Sequence, residues 1–122
     1  MEELKRLPDA ELEVMMVIWE ADKTVTSDYI MERINKEWTK TTLLNFLSRL
    51  CDRGFLKCEK EGKHNTYTAI VDKEEYLKVE SKNFFKKLHH NSLTSLVATL
   101  YSVNDISKDD LEELKKFIEE AK

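Results

Sequence analysis

The apolar residues of this 122-residue chain change their period twice, and few folds accommodate that change. Up to Leu50 they recur at helical spacing. Leu12, Met15, Met16 and Trp19 stand at i, i+3, i+4 and i+7, which predicts a core-facing helix opened by Pro8 and Asp9. Thr26 or Ser27 caps a second helix, with Ile30 and Ile34 facing inward and its end near Glu37. Thr39 caps a third, whose inner side carries Leu43, Phe46, Leu47 and Leu50, and Gly54 closes it where a left-handed residue is wanted. Over 55–71 the period becomes two. Leu56, Cys58 and Lys60 alternate with Lys57, Glu59 and Glu61, Gly62-Lys63 signals a turn, and His64 to Val71 is rich in Thr, Tyr, Ile and Val. Three helices followed by a hairpin predict a winged helix-turn-helix with a two-stranded wing.

From Asp72 the period is helical again. Asp72-Lys73-Glu74-Glu75 has the spacing of a capping box. The helix after it carries Tyr76, Leu77, Val79, Phe84, Phe85 and Leu88, and Asn91-Ser92 breaks it. Leu93, Leu96, Val97 and Leu100 form the next stripe, and Ser107 to Asp110 cap a last helix with Leu111, Leu114, Phe117, Ile118 and Ala121. The expected class is mostly α (α+β), with a winged-helix domain at 1–71 and a helical domain at 72–122. The 51 residues of the second domain are too few to bury enough surface alone, yet they carry three apolar stripes. Mutual burial between two copies resolves this. The expected dimerisation residues are Phe84, Leu88, Leu93, Leu96, Val97, Leu100, Leu111, Leu114 and Ile118. Sequence alone does not separate interface from intrachain core among them.

The outer side of the third helix carries Thr41, Leu44, Asn45, Ser48 and Arg49, beside Thr42. A solvated face usually mixes glutamate with lysine, whereas short polar side chains and an arginine suit base edges and phosphates in a DNA groove. The net charge of −4 opposes DNA binding, but its distribution does not. Residues 1–37 hold 5 Lys/Arg and 10 Asp/Glu, for −5; residues 38–71 hold 6 and 3, for +3; residues 72–122 hold 9 and 11, for −2. Positive charge thus gathers on the third helix and the wing, where Lys60, Lys63 and His64 are placed to meet phosphates. Two bland readings stand beside these. Arg49 could brace the fold through Glu32, and Thr42 could serve as a cap or first-turn residue. The whole could also be a winged-helix module for protein contact alone, without DNA binding.

Other classes find less support. Two glycines cannot build a phosphate loop or a dinucleotide turn, and neither an H-E-x-x-H motif nor a nucleophile elbow occurs, so an enzyme is not expected. His89-His90 and His64 do not make a metal set, because adjacent histidines leave a helix on different faces; neither metal nor cofactor is expected. Cys51 and Cys58 fit neither a disulfide framework nor a C-x-x-C site, and both are expected reduced, in packing roles. No run of ~18 apolar residues predicts a membrane span, and Met-Glu-Glu-Leu-Lys-Arg is not a signal peptide, so a cytoplasmic location is expected.

The sequence resembles the penicillinase-repressor (BlaI/MecI/CopY) family of winged-helix transcription regulators. The matching residues are Ala10-Glu11-Leu12-Glu13-Val14-Met15 with Trp19, Trp38 with Thr41-Thr42, Phe46-Leu47-Ser48-Arg49-Leu50 with Gly54-Phe55-Leu56, then Tyr67 and Ser95-Leu96-Val97. The resemblance spans nearly the whole chain and rests on order and spacing. It implies a homodimeric repressor whose winged helix binds an inverted-repeat DNA operator and whose C-terminal helices dimerise. In the antibiotic-resistance branch it implies a membrane metalloprotease sensor that triggers cleavage of the dimerisation part and so releases DNA. The family's Asn-Phe cleavage bond corresponds to Thr99-Leu100. Leu44 stands where the antibiotic-responsive members carry arginine, and Asn45 where they carry threonine. A bidentate guanine contact is therefore missing, while Asn45 suits adenine and Leu44 a thymine methyl. The copper branch's paired C-terminal cysteines have no counterpart, since no cysteine follows Cys58.

Overall fold

A computed structural model describes residues 6–121. In chain order they form α1 (Asp9–Ala21), β1 (Val25–Thr26), α2 (Ser27–Arg33), α3 (Lys40–Asp52), β2 (Leu56–Glu61), β3 (His64–Ala69), α4 (Lys73–His89), α5 (Leu93–Ser102) and α6 (Lys108–Glu120). They divide into two compact units, which meet in sequence at Val79 and Glu80, within α4.

In the first unit α1 starts after Pro8, with Asp9 and Glu11 in its positive first turn, and stops at Asp22 in a left-handed conformation (φ 52°). Its buried side is Glu11, Val14, Met15 and Ile18. This corrects the stripe expected from spacing: Leu12 and Trp19 flank the core, and Met16 is 41% exposed. The helix is turned so that Glu11, only 1% exposed, lies on the inner side. Arg53, at the end of α3, donates to the Glu11 Oε1 at 2.7 Å. A count of apolar side chains cannot place a carboxylate there, because its partner is 42 residues away.

Thr26 caps α2 by accepting from the Tyr29 N–H, and the helix ends at Arg33 rather than near Glu37. Ile34 turns to extended backbone and enters the core, and the chain then crosses to Thr39, which caps α3. Leu43, Leu47 and Leu50 are fully buried, and Trp38 sits edge-on to the half-buried Phe46 at 5.0 Å between ring centroids. The end of α3 is a Schellman turn. Phe55 N–H donates to Leu50 O at 2.9 Å and Gly54 N–H to Cys51 O at 3.1 Å. Gly54 has φ +82°, a conformation costly for any side chain.

The turn delivers the chain into an antiparallel hairpin running from Leu56↔Ala69 to Glu61↔His64 around Gly62 and Lys63. The sheet has three strands, not the two expected, in the order β1-β3-β2. Val25 pairs with Tyr67 and Thr26 with Thr66. A two-residue strand shows no period of its own, so only the pairing reveals it. β3 ends at Ala69, short of Val71, because the N–H groups of Ile70 and Val71 turn to Phe55 O.

Three aromatic rings join these pieces. Tyr76 packs at 5.8 Å from Phe55 and 5.7 Å from Trp19. Its hydroxyl accepts from Leu7 N–H at 2.9 Å, and Trp19 Nε1 donates to Val71 O at 2.9 Å. The first turns of α4 therefore pack with the winged helix, and the compact unit extends past the expected limit at residue 71 to Val79.

The second unit contains the rest of α4, then α5 and α6. His90 and Asn91 take left-handed conformations (φ 46° and 63°) and end α4. Ser92 caps α5, and Ser107 and Asp110 form a reciprocal capping box on α6. Among the described residues of this unit, no side chain is fully buried.

The Glu11–Arg53 pair gives a stability test. Arg53→Ala leaves a buried carboxylate unpaired and is expected to cost about 1–3 kcal/mol in urea denaturation. Glu11→Gln added to Arg53→Ala should recover part of that loss; an unchanged midpoint for Arg53→Ala would remove the pair from the fold's energetics.

Candidate nucleic-acid interface

The backbone of α3 is fixed from both ends, which makes its outer side a rigid surface. The Thr39 hydroxyl accepts from Thr42 N–H at 3.2 Å, and Trp38 holds the first turn against Phe46. At the other end stand the Schellman turn and the Arg53–Glu11 pair. Between them Thr41, Leu44, Asn45, Ser48 and Arg49 are all exposed, with Leu44 at 38%. Thr42 differs: it is half-buried, and its hydroxyl lies 3.0 Å from that of Thr39. Its polar atoms serve the cap, the alternative role weighed from sequence.

The cations of this region divide into two sets. Lys40 reaches Asp28 Oδ1 at 3.0 Å, Arg53 reaches Glu11, and Lys57 reaches Glu59 at 3.3 Å. Arg49, Lys60 and Lys63 are exposed and make no ion pair among the described residues. The suggested brace between Arg49 and Glu32 does not form; Glu32 lies 3.6 Å from Arg33, whose guanidinium stacks on the Tyr29 ring at 3.4 Å.

The register sorts the hairpin by face. Residues directly opposite one another share a face, so Leu56, Cys58 and Lys60 go with Ala69, Tyr67 and Asn65. Glu61 and His64 lie on the other face, so the structure separates Lys60 from His64. Asn65, beside Lys60 at the wing tip, was not singled out from sequence; counting outward from Gly62-Lys63 would have found it. On the inner face burial pushes the Tyr67 phenol and the Cys51 thiol up from their ordinary pKa values, and the neighbouring Cys58 adds to both shifts.

In the second unit, Leu93, Val97, Leu111, Leu114 and Ile118 line one open apolar groove of about 340 Å³ with Tyr101. Leu96 and Leu100 are half-buried and do not line it; Phe84 and Leu88 are exposed on α4. The Thr99-Leu100 bond lies inside α5, with Thr99 O accepting from Ser102 Oγ at 2.8 Å and from Val103 N–H at 3.2 Å. His89 Nδ1 is 3.0 Å from Ser95 Oγ, and its ring packs on Phe84. Among the described residues no group of three or more His, Cys, Asp or Glu could hold a metal, and no helix is long and apolar enough to cross a membrane.

Comparison with known proteins gives these features a context. The profile of the penicillinase repressor family matches residues 7–120. The chain is 32% identical over 123 residues to the penicillinase repressor of Bacillus licheniformis, covering all of this chain and 96% of that one. It is 32% identical over 114 residues to the methicillin resistance regulatory protein MecI of Staphylococcus aureus, covering 92% of each. Two solution structures are similar, each at 32% identity and covering 62% of this chain and 94% of the other. One is the DNA-binding domain of the repressor BlaI (TM-score 0.54). The other is the monomeric form of Bacillus licheniformis BlaI in complex with the blaP half-operator (TM-score 0.52).

The rigid presentation of α3 is testable without any ligand. Thr39→Ala removes the hydroxyl that caps the helix and is expected to lower stability by about 1 kcal/mol. Amide exchange at Thr42 should speed up while exchange at Leu50 falls only with global stability. Uniform acceleration along α3 would show that the cap does not set its first turn.

Proposed function

The chain belongs to the penicillinase repressor family, and on that premise we propose that it is a cytoplasmic transcriptional repressor, not an enzyme, which binds an inverted-repeat operator as a homodimer. The observation that carries the reading is the outer side of α3. Leu44, Asn45, Ser48 and Arg49 stand exposed on a helix locked at both ends, and an exposed hairpin with Lys60 and Lys63 follows it. In this reading Asn45 contacts adenine, Leu44 a thymine methyl, Arg49 a base or phosphate, and Thr41 and Ser48 the adjoining edges and phosphates. Thr42 contributes through the cap, and Lys60, Lys63 and His64 hold phosphate from the wing. Half-sites one helical turn apart, about 34–36 Å, suit such a dimer.

The second unit supports the dimer. Its apolar groove and its lack of any fully buried side chain among the described residues are what a helical unit shows when half of its core comes from a second copy. Relief of repression is proposed to follow a signal from a membrane metalloprotease sensor, by cleavage at Thr99-Leu100. That bond is hydrogen-bonded within α5, so cleavage requires α5 to unwind locally; a helix without a fully buried residue opens at low cost.

Selection of bound duplexes from a random pool supplies the operator for two tests. On that duplex Arg49→Ala is expected to cost about 1–3 kcal/mol of binding without unfolding the chain. With three lone cations per copy, the log–log dependence of affinity on salt should have a slope of about −5 for the dimer. A folded protein with no affinity for any duplex, and no salt slope, would favour a winged-helix module used for protein contact alone. The dimer has its own test. Val97→Asp with Leu114→Asp should shift sedimentation to the monomer and weaken operator binding at least tenfold; a variant that stays dimeric would place the interface elsewhere.

A further inference from the structure

Cys51 lies in the last turn of α3, and Cys58 lies in β2 after the chain reverses at Gly54. Cys58 shares a strand face with Leu56, which is buried, and stands opposite Tyr67, also buried. That face turns toward the core and the end of α3. The Cys58 side chain lies close enough to the Cys51 thiol and the Tyr67 phenol to help push both up from their ordinary pKa values. Both cysteines are free, Cys58 exposed and Cys51 half-buried.

We propose that Cys51 and Cys58 are a redox modification site, oxidised by a peroxide to an intramolecular disulfide that ties α3 to the wing. The pair has the division of labour such a reaction requires. Cys58 is exposed and reacts first. Its sulfur attacks one peroxide oxygen, the O–O bond breaks, and Cys58 becomes a sulfenic acid while the departing hydroxide takes the thiol proton and leaves as water. The Cys51 sulfur then attacks the Cys58 sulfur. The S–O bond breaks, and the leaving hydroxide takes the Cys51 proton as a second water. Two electrons pass from the thiols to the peroxide, and a dithiol reductant returns them by exchange. Half-buried Cys51 is shielded from direct attack by the peroxide, which leaves it to attack the sulfenic acid that forms on its exposed neighbour.

The consequence for DNA rests on the DNA-binding reading above. In the reduced chain the wing is already positioned by the Phe55 hydrogen bonds at its base. A disulfide brings its two sulfurs to about 2.05 Å, and closing to that distance draws β2 toward the last turn of α3 and away from that position. Helix and wing grip DNA together, so the oxidised form binds it more weakly.

The test treats the full-length dimer with hydrogen peroxide, then alkylates it in denaturant and measures intact mass. The expected result is loss of both alkylatable thiols within one chain, restored by dithiothreitol. Cys51→Ser should stop at a sulfenic acid on Cys58 that dimedone traps, and Cys58→Ser should leave Cys51 alkylatable. Two thiols still alkylatable in the parent chain, or disulfides only between chains on a non-reducing gel, would overturn the site. Operator affinity, measured in parallel, should fall about tenfold on oxidation and stay constant in Cys51→Ser with Cys58→Ser. A disulfide that forms with affinity unchanged would overturn its effect on the wing. If neither redox form binds any duplex, the DNA-binding reading fails, while the thiol counts still decide the disulfide.

Discussion

The contact on which the winged helix depends is the packing of Phe55 against Tyr76, at the point where α3 ends and the hairpin begins. Phe55 is 2% exposed, and a buried phenylalanine contributes about 2–3 kcal/mol from the hydrophobic effect alone. Its position matters more than that energy. Its N–H closes the Schellman turn of α3, and its carbonyl accepts from Ile70 and Val71 and so ends β3. One residue thus sets the angle between α3 and the wing from both sides. Tyr76 joins that point to α1 through Trp19 and to the segment before α1 through Leu7. The surface proposed to read DNA contributes little to stability, because its side chains are exposed. It is accurate because the layer beneath it is anchored at a few buried points.

The two units differ in the physics that holds them. In the first, fifteen apolar side chains among the described residues are buried, drawn from every helix and strand of the unit. In the second, helix caps are well formed, with a reciprocal capping box on α6, yet Phe117 is 69% and Leu88 64% exposed. Caps contribute about 1 kcal/mol each and cannot replace a core. Local sequence is enough to make these helices; it does not provide the surface that covers them. If a second copy covers it, as proposed, such a unit is sensitive to its own concentration and to cleavage, which suits a regulator that has to release its target.

Charge follows the same economy. The chain is acidic overall, and three of the six cations between Trp38 and Val71 are held by carboxylates of the chain itself. Those pairs fix geometry: Arg53 orients the end of α3, and Lys40 ties its start to α2. The cations left over are few, so under the proposed function non-specific attraction to DNA is weak and discrimination falls to Asn45, Leu44 and their neighbours. These two positions depart from the pattern that the resemblance gives for the antibiotic-responsive relatives, so under the proposed reading the operator of this chain differs at the bases they face.

Much of the fold was legible in the sequence because it is local. Thr39 as a cap, Gly54 as the left-handed stop, the turn at Gly62-Lys63 and the alternation of β2 depend on residues within a few positions of each other. The exposed side of α3 followed from the same periodicity, since burying Leu43, Leu47 and Leu50 leaves Asn45, Ser48 and Arg49 outside. What depended on distant partners was not legible. Glu11 takes a core position only because Arg53 meets it, and this turns α1 so that Met16 points outward. β1 exists only as a partner of β3, and α4 gives its first turns to the winged helix because Tyr76 finds Phe55 and Leu7. The two cysteines read as unrelated packing residues until a helix end and a strand brought them together. Sequence by itself determined which of the longer segments are helix and strand and which side chains face outward on α3, because those follow from hydrogen bonds and contacts a few residues apart. Tertiary structure decided which charges are spent inside the fold and which remain for a ligand, because an ion pair depends on distance in space and not on distance along the chain.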